Sequence, residues 1–252
     1  MKVTYEEIRD NNIVLRGMHH YPQHDGECPI IIVHGYFSAN RIGPQRLFVN
    51  LANYLANEGY HVYRFDLEGM GESDGDISKV RFSGHVENLS KIIDAVYNKF
   101  HKKIIIIAHC LGCNITLSEV IDRPDIFREV IFLAPFYSNR LIMNRFFGRK
   151  KIRELSTKKC TYRKGLYADY TFFSENTQDD FKRKLSKTQS TINVIIPKND
   201  QFIPFKCNFE TFSRLNNINL IYIDKADHNF LETQNELLEL VKRLLQDDKY
   251  TA

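Results

Sequence analysis

Residues 104–114 read IIIIAHCLGCN: four isoleucines run into Ala-His-Cys-Leu-Gly, and a second cysteine stands three positions after the first. The isoleucine run has the length and β-branching of a buried strand. The next stretch, LGCNITLSEVI, continues as a helix, so Cys110 falls on a strand-to-helix turn. Backbone N–H groups point outward at such a turn, and the helix dipole favours an anion there. Ala108 and Gly112, two residues to either side, are small, as a sharp turn that brings strand and helix together requires.

Similar short apolar runs recur outward from this point. PIIIVHGY (29–36), GYHVYRFDLEG (59–69), EVIFLAPF (129–136), TINVIIPKND (191–200) and INLIYIDKADH (218–228) each predict a strand ending near a polar or glycine-bearing turn. Between them lie helical patterns at 46–59, 82–100, 209–215 and 235–246. Gly59, just beyond the apolar periodicity of its helix, is a stop signal. This alternation predicts an α/β fold: a doubly wound, mostly parallel sheet covered on both faces. It breaks once. Residues 137–190 show no clean strand, two basic clusters (GRKKIR and KRKLSK) and several aromatics, and are too long for an ordinary loop. They are expected to form a helical cap insertion on a single domain spanning 1–252.

Composition narrows the class. With 252 residues, 43% apolar and 26% charged, the chain has ample material for one packed core. The N-terminal stretch has no basic segment followed by an apolar run, and no apolar run reaches the ~20 residues of a membrane span. A soluble cytoplasmic protein without a membrane partner is expected. Five scattered cysteines are an odd number in a chain too large to need stapling, so a disulfide framework is not expected. The formal charge of +4 is too small to argue for nucleic acid, but residues 136–190 hold 14 Lys and Arg against five Asp and Glu. The basicity is local.

In a doubly wound sheet reactive groups gather at the C-terminal ends of the strands. A nucleophile at Cys110 needs a base, and the base needs a group that holds its tautomer. Asp200 follows one late strand and His228 the next, in the order nucleophile, acid, histidine. The VHGYF turn at 33–37 offers the N–H of Tyr36, which can pair with that of Leu111 to bind an oxyanion. Asp224 and Asp227 compete with Asp200 as the acid, although Asp227 adjoins His228 and would have difficulty facing its ring. His34 and Asp66 are expected to be structural, and His109 either lines the pocket or shapes the turn. Cys28, Cys160 and Cys207 have no metal-type spacing with histidines and receive no role.

Together HGY, LFVNLANYLANEGYHVYRFDLEGMGESDGD, AHCLG, NDQFIP and ADHNF resemble the α/β-hydrolase superfamily, in particular small esterases and serine aminopeptidase- or lipase-like acyl hydrolases related to cinnamoyl (feruloyl) esterases. The resemblance covers nearly the whole chain. It implies a Cys110–His228–Asp200 triad, an oxyanion hole at Tyr36 and Leu111, and no metal or organic cofactor. It also marks a departure, because most of the family carries serine where Cys110 stands. Dienelactone hydrolases, polyhydroxyalkanoate synthases and some bile-acid acyltransferases of the superfamily use cysteine, and a thiol suits thioester exchange. The expected function is therefore that of an esterase, thioesterase or acyltransferase. Arg149, Lys150 and Lys151 of the basic insertion are the expected substrate-binding cations, facing an acyl group carried by coenzyme A or an acyl carrier protein. Two other readings stand beside this one. A hydrolase-fold binding protein would have lost catalysis; a Cys110-Leu-Gly-Cys113 redox pair would leave Asp200, His228 and the HGY turn unexplained.

Overall fold

The computed structural model describes residues 1–10, 13–24, 26, 28–36, 40–137, 147–163, 166–175 and 178–246. Its strands are β1 (Val3–Asp10), β2 (Ile13–His20), β3 (Pro29–Val33), β4 (His61–Phe65), β5 (Ile104–His109), β6 (Phe127–Leu133), β7 (Cys160–Arg163), β8 (Leu166–Asp169), β9 (Ile192–Pro197) and β10 (Ile218–Ile223). Its helices are α1 (Leu47–Asn57), α2 (Phe82–Phe100), α3 (Leu111–Asp122), α4 (Gly148–Lys158), α5 (Tyr170–Ser174), α6 (Gln178–Leu185), α7 (Phe205–Phe212) and α8 (Gln234–Gln246). Among the described residues one eight-stranded sheet runs β1-β2-β4-β3-β5-β6-β9-β10, antiparallel at β1–β2–β4 and parallel from β4 onward. This is the mostly parallel sheet that the alternating pattern predicts, in the α/β-hydrolase arrangement that the resemblance implies.

The isoleucine runs explain how the sheet is covered. Successive strand side chains point to opposite faces. Ile31, Val33, Ile104 and Ile106 therefore pack with Leu89, Ile92, Ile93 and Val96 of α2 and with Ile115 of α3. Ile30, Ile32, Ile105 and Ile107 pack on the other face with Leu47, Phe48, Leu51 and Leu55 of α1 and Leu237 and Val241 of α8. Each isoleucine fully buried in this way contributes about 1.5–3 kcal/mol. A single unbroken apolar run thus serves two cores.

Sheet order also places the crevice. The chain leaves β3 towards β4 on one side, then returns through α2 to β5 on the other. The C-terminal ends of β3 and β5 diverge at that switch point, which is where open α/β sheets bind ligands.

Two elements depart from the expected set. The β1–β2 hairpin was not anticipated, because an edge strand facing solvent reads as polar: VTYEEIRD carries four charges, with Glu7 pairing to Arg9 and Arg16. The expectation of a strand-free insertion is corrected as well. Residues 137–190 contain α4, α5 and α6 but also the antiparallel β7–β8 hairpin, whose paired Thr161 and Ala168 are buried. Two four-residue strands present too few alternating positions to stand out from a basic, aromatic background.

This insertion lies against the strand ends. Phe172 of α5 packs on Tyr36 and Phe82, with ring centroids 4.6 and 6.0 Å apart. Glu175 accepts from the N–H and hydroxyl of Ser83, each at 3.0 Å, and so caps α2 from across the fold. Lys184 of α6 donates to Ser118 of α3 at 2.8 Å. No helix of the described residues is long and apolar enough to cross a membrane, and the five cysteines are free.

Near the starts of β6, β9 and β10 a polar row crosses the sheet: Asn193 donates to Glu129, and Asn219 donates to Asn193 at 2.6 Å. Burial, opposed by the Asn193 bond, pushes Glu129 up from 4.5 to about 7. A raised carboxyl contributes stability that is complete below its unfolded value and is lost as pH rises through the folded one. Wild-type protein should therefore lose stability between about pH 4.5 and pH 7, and Glu129→Gln should remove that fall. Urea denaturation midpoints of both proteins across this range check it; parallel pH profiles would overturn it.

Candidate active site

Cys110 closes β5 and starts α3 with φ 56° and ψ −123°, a combination that L-residues avoid. Neighbouring strands hold it there. Its N–H donates to the Leu133 carbonyl at 3.0 Å, and its own carbonyl accepts from Phe136 N–H at 3.0 Å and Cys113 N–H at 3.2 Å. The turn is crowded from both sides. A Cβ on Gly112 would lie 2.6 Å from the His34 carbonyl oxygen and 2.8 Å from that of Val33. A Cβ on Gly35 would lie 2.7 Å from Cys110 Cβ and 3.2 Å from its Sγ. Glycine is thus required at both positions, and the turn bearing Gly35 and Tyr36 comes directly against Cys110. Leu111 is the first residue of α3, so its N–H has no acceptor within the helix.

Asp200 and His228 meet across the ends of β9 and β10. Asp200 Oδ2 accepts from His228 Nδ1–H at 2.8 Å, while Oδ1 accepts from the backbone N–H of Phe202 at 2.7 Å and Ile203 at 2.9 Å. Both side chains are buried. Burial disfavours a charged imidazole, yet the nearby Cys110 and the hydrogen-bonded Asp200 raise His228 from 6.5 to about 10. His228 and Asp200 thus meet in one buried pair, and Cys110 is the further group that acts on the ring. Phe202 closes the side of the ring, edge-on at 4.9 Å.

The competing carboxylates lie elsewhere. Asp224 is exposed and pairs with Lys198 at 2.5 Å. Asp227 accepts from the N–H groups of Asn229 and Leu231 and so shapes the turn that presents His228. Asp66 accepts from the N–H groups of Arg41 (2.6 Å) and Glu72 (2.9 Å) and pairs with the Arg41 guanidinium, tying its loop together as expected. His34 is likewise structural. Its Nδ1–H donates to the Gly35 carbonyl at 2.8 Å, and Nε2 accepts from Leu67 N–H at 3.0 Å.

Cys113 is fully buried at the foot of α3. Its thiol donates to the Ala108 carbonyl at 3.2 Å, and burial pushes it well above the ordinary thiol range. The three expected cations lie on the first turn of α4. Arg149 and Lys150 are exposed on α4, and Lys151 pairs with Glu154 at 2.6 Å. Their charge was legible in the sequence, whereas the direction in which α4 presents it was not. Sequence reasoning also left open the place of His109, whose Nε2–H donates to the backbone carbonyl of His228 at 2.9 Å. Among the described residues no group of three or more His, Cys, Asp or Glu is placed to hold a metal ion.

Comparison with known proteins agrees with this architecture. Est1E from Butyrivibrio proteoclasticus, solved with ferulic acid bound, superposes with a TM-score of 0.77 at 18% identity, covering 95% of this chain and 97% of that one. Mouse alpha/beta hydrolase domain-containing protein 10 superposes with a TM-score of 0.74 at 17% identity, over 96% of this chain and 98% of its own. In sequence, the probable lysophospholipase BODYGUARD 2 of Arabidopsis thaliana is 30% identical over 110 residues, 43% of this chain. That match spans only 22% of the plant protein's length. The family model for serine aminopeptidase, S33, matches residues 27–182, which include Gly35, the Cys110 turn and most of the insertion. Since that match covers more than half of the chain and the fold agrees throughout, the chain belongs to the serine aminopeptidase S33 family of α/β-hydrolases.

Proposed function

We propose that the protein cleaves or transfers an acyl group from a carboxylic ester or thioester through Cys110, His228 and Asp200. The observation that carries this reading is the buried Asp200–His228 hydrogen bond beside Cys110 at its strained turn. Cys110 Sγ attacks the acyl carbon with its proton already held at His228 Nε2; Asp200 keeps the other ring nitrogen protonated and faces the imidazolium. The carbonyl electron pair moves onto oxygen, between the N–H groups of Tyr36 and Leu111. Collapse breaks the bond to the leaving group, which takes the proton from His228 and leaves an acyl-cysteine. Water or another nucleophile then gives its proton to His228, attacks the acyl-cysteine and frees Cys110.

Cysteine in a family described by its serine favours thioesters, since sulfur for sulfur exchange is close to isoenergetic. The substrate class fits the charge of the insertion. Residues 136–190 carry net +9, and the acidic bearers of thioesters are coenzyme A and acyl carrier proteins. Arg149 and Lys150, both exposed, would steer such a carrier rather than touch the acyl group.

Limiting iodoacetamide at neutral pH should label Cys110 before the other four cysteines and abolish turnover in proportion; equal labelling of all five would sink the assignment. Mass spectrometry after mixing with acyl thioesters or p-nitrophenyl esters should find the acyl group on Cys110. Asp200→Asn should keep the fold and lower kcat by up to about 10⁴-fold, the figure for a serine triad, because the wrong tautomer is then favoured. Damage from Asp224→Asn instead would move the acid elsewhere.

Carrier recognition is tested separately. For a carrier-bound or coenzyme-bound acyl group kcat/KM should fall steeply with salt while a neutral ester is barely affected. Reversing Arg149 and Lys150 to glutamate should reproduce that loss at low salt. An equal response of both substrates would leave the cations without a role.

A further inference from the structure

His109 is the last residue of β5 and the chain neighbour of Cys110, yet its side chain reaches the base rather than the nucleophile. Its Nε2 lies 2.9 Å from the backbone carbonyl oxygen of His228. A carbonyl only accepts, so Nε2 carries the hydrogen and the tautomer is fixed. The ring is buried among Phe48 (5.7 Å), Phe230 (6.4 Å) and the His228 ring (5.2 Å).

Asp200 holds His228 at one ring nitrogen, which sets the tilt of the imidazole but not the position of its backbone. That backbone lies in a short turn, with Phe230 N–H donating to the Asp227 carbonyl at 3.1 Å and Phe230 itself at φ 55°. We infer that His109 is a positioning residue: by gripping the His228 carbonyl it ties the base to the same strand end that carries Cys110. This rests on the Cys110–His228–Asp200 reading. The titratable groups around His109 are His228, Asp200 and His34. Burial first, then the neighbouring His228, hold His109 down at about 3. The tether is therefore neutral wherever the triad works, and it sets a distance without adding a second cation beside His228. Removing its N–H would leave a buried carbonyl unpaired and the turn free to shift towards another donor.

Three variants separate the hydrogen bond from the packing. His109→Gln keeps a donor at similar reach, His109→Met matches its length without one, and His109→Phe keeps a ring against Phe48 and Phe230. The readouts are kcat and KM for a neutral p-nitrophenyl ester, and titration of the His228 ring by NMR in ¹⁵N-histidine-labelled protein without substrate. His109→Met and His109→Phe should each lower kcat about 10- to 100-fold, the scale of an ångström-sized misplacement, with little change in KM. In both, His228 should titrate at lower pH than in wild type, while His109→Gln should stay within about threefold of wild-type kcat and keep the wild-type titration. If either apolar variant fails to fold, the other is compared with His109→Gln. Wild-type kcat in His109→Met or His109→Phe overturns the inference, and so does equal damage in all three with an unmoved His228 titration. Full activity in Cys110→Ala would instead overturn the catalytic reading, and the resting-state titration would still report on the tether.

Discussion

The contact on which the crevice depends is the close approach of α3 to the end of β3. Gly112 meets the carbonyls of Val33 and His34, and Gly35 meets Cys110, at distances that exclude a side chain. Without that approach the start of the helix would stand off from the HGY turn that bears Gly35 and Tyr36. The approach stores strain, because Cys110 takes a conformation that costs of order 1–3 kcal/mol. Hydrogen bonds to Leu133 and Phe136, both at the exit of β6, over-determine it. Three parallel strands thus cooperate to hold one residue out of its preferred geometry, as expected where the conformation is used.

Around this turn charge is arranged so that no buried group stands alone. Asp200 accepts three N–H donors, His228 sits between that carboxylate and Cys110, and the adjacent histidines are kept neutral by burial. His34 and His109 then act through fixed tautomers, as rigid connectors between strand ends. Were either charged, it would compete with His228 for the imidazolium state. Low dielectric makes the paired charges strong and any unpaired one expensive, which is why connectors here are neutral.

The insertion adds an aromatic roof and two polar latches. Phe172 and Phe173 cover the Tyr36 ring, while Glu175 and Lys184 fasten the insertion to the start of α2 and to α3. The same segment holds 14 of the chain's 35 Lys and Arg residues against five Asp and Glu, so cover and positive charge come from one element.

Much of this was legible from sequence, for local reasons. Isoleucine runs ending in glycine or polar turns specify buried parallel strands, small residues flanking Cys110 specify a sharp turn, and Asp200 and His228 each follow a strand, so topology alone brings them to one edge. What escaped had signals that were weak or non-local. The β1–β2 edge hairpin is charged because it faces water, and the β7–β8 hairpin is too short to show a period. The direction of Arg149 and Lys150 depends on how α4 packs, and the grip of His109 on His228 joins residues 119 apart. Sequence by itself determined which groups sit at strand ends, because alternation and turn chemistry act over a few residues. Only the tertiary structure decided which of them touch, because an approach of 3 Å depends on how the whole sheet twists and packs.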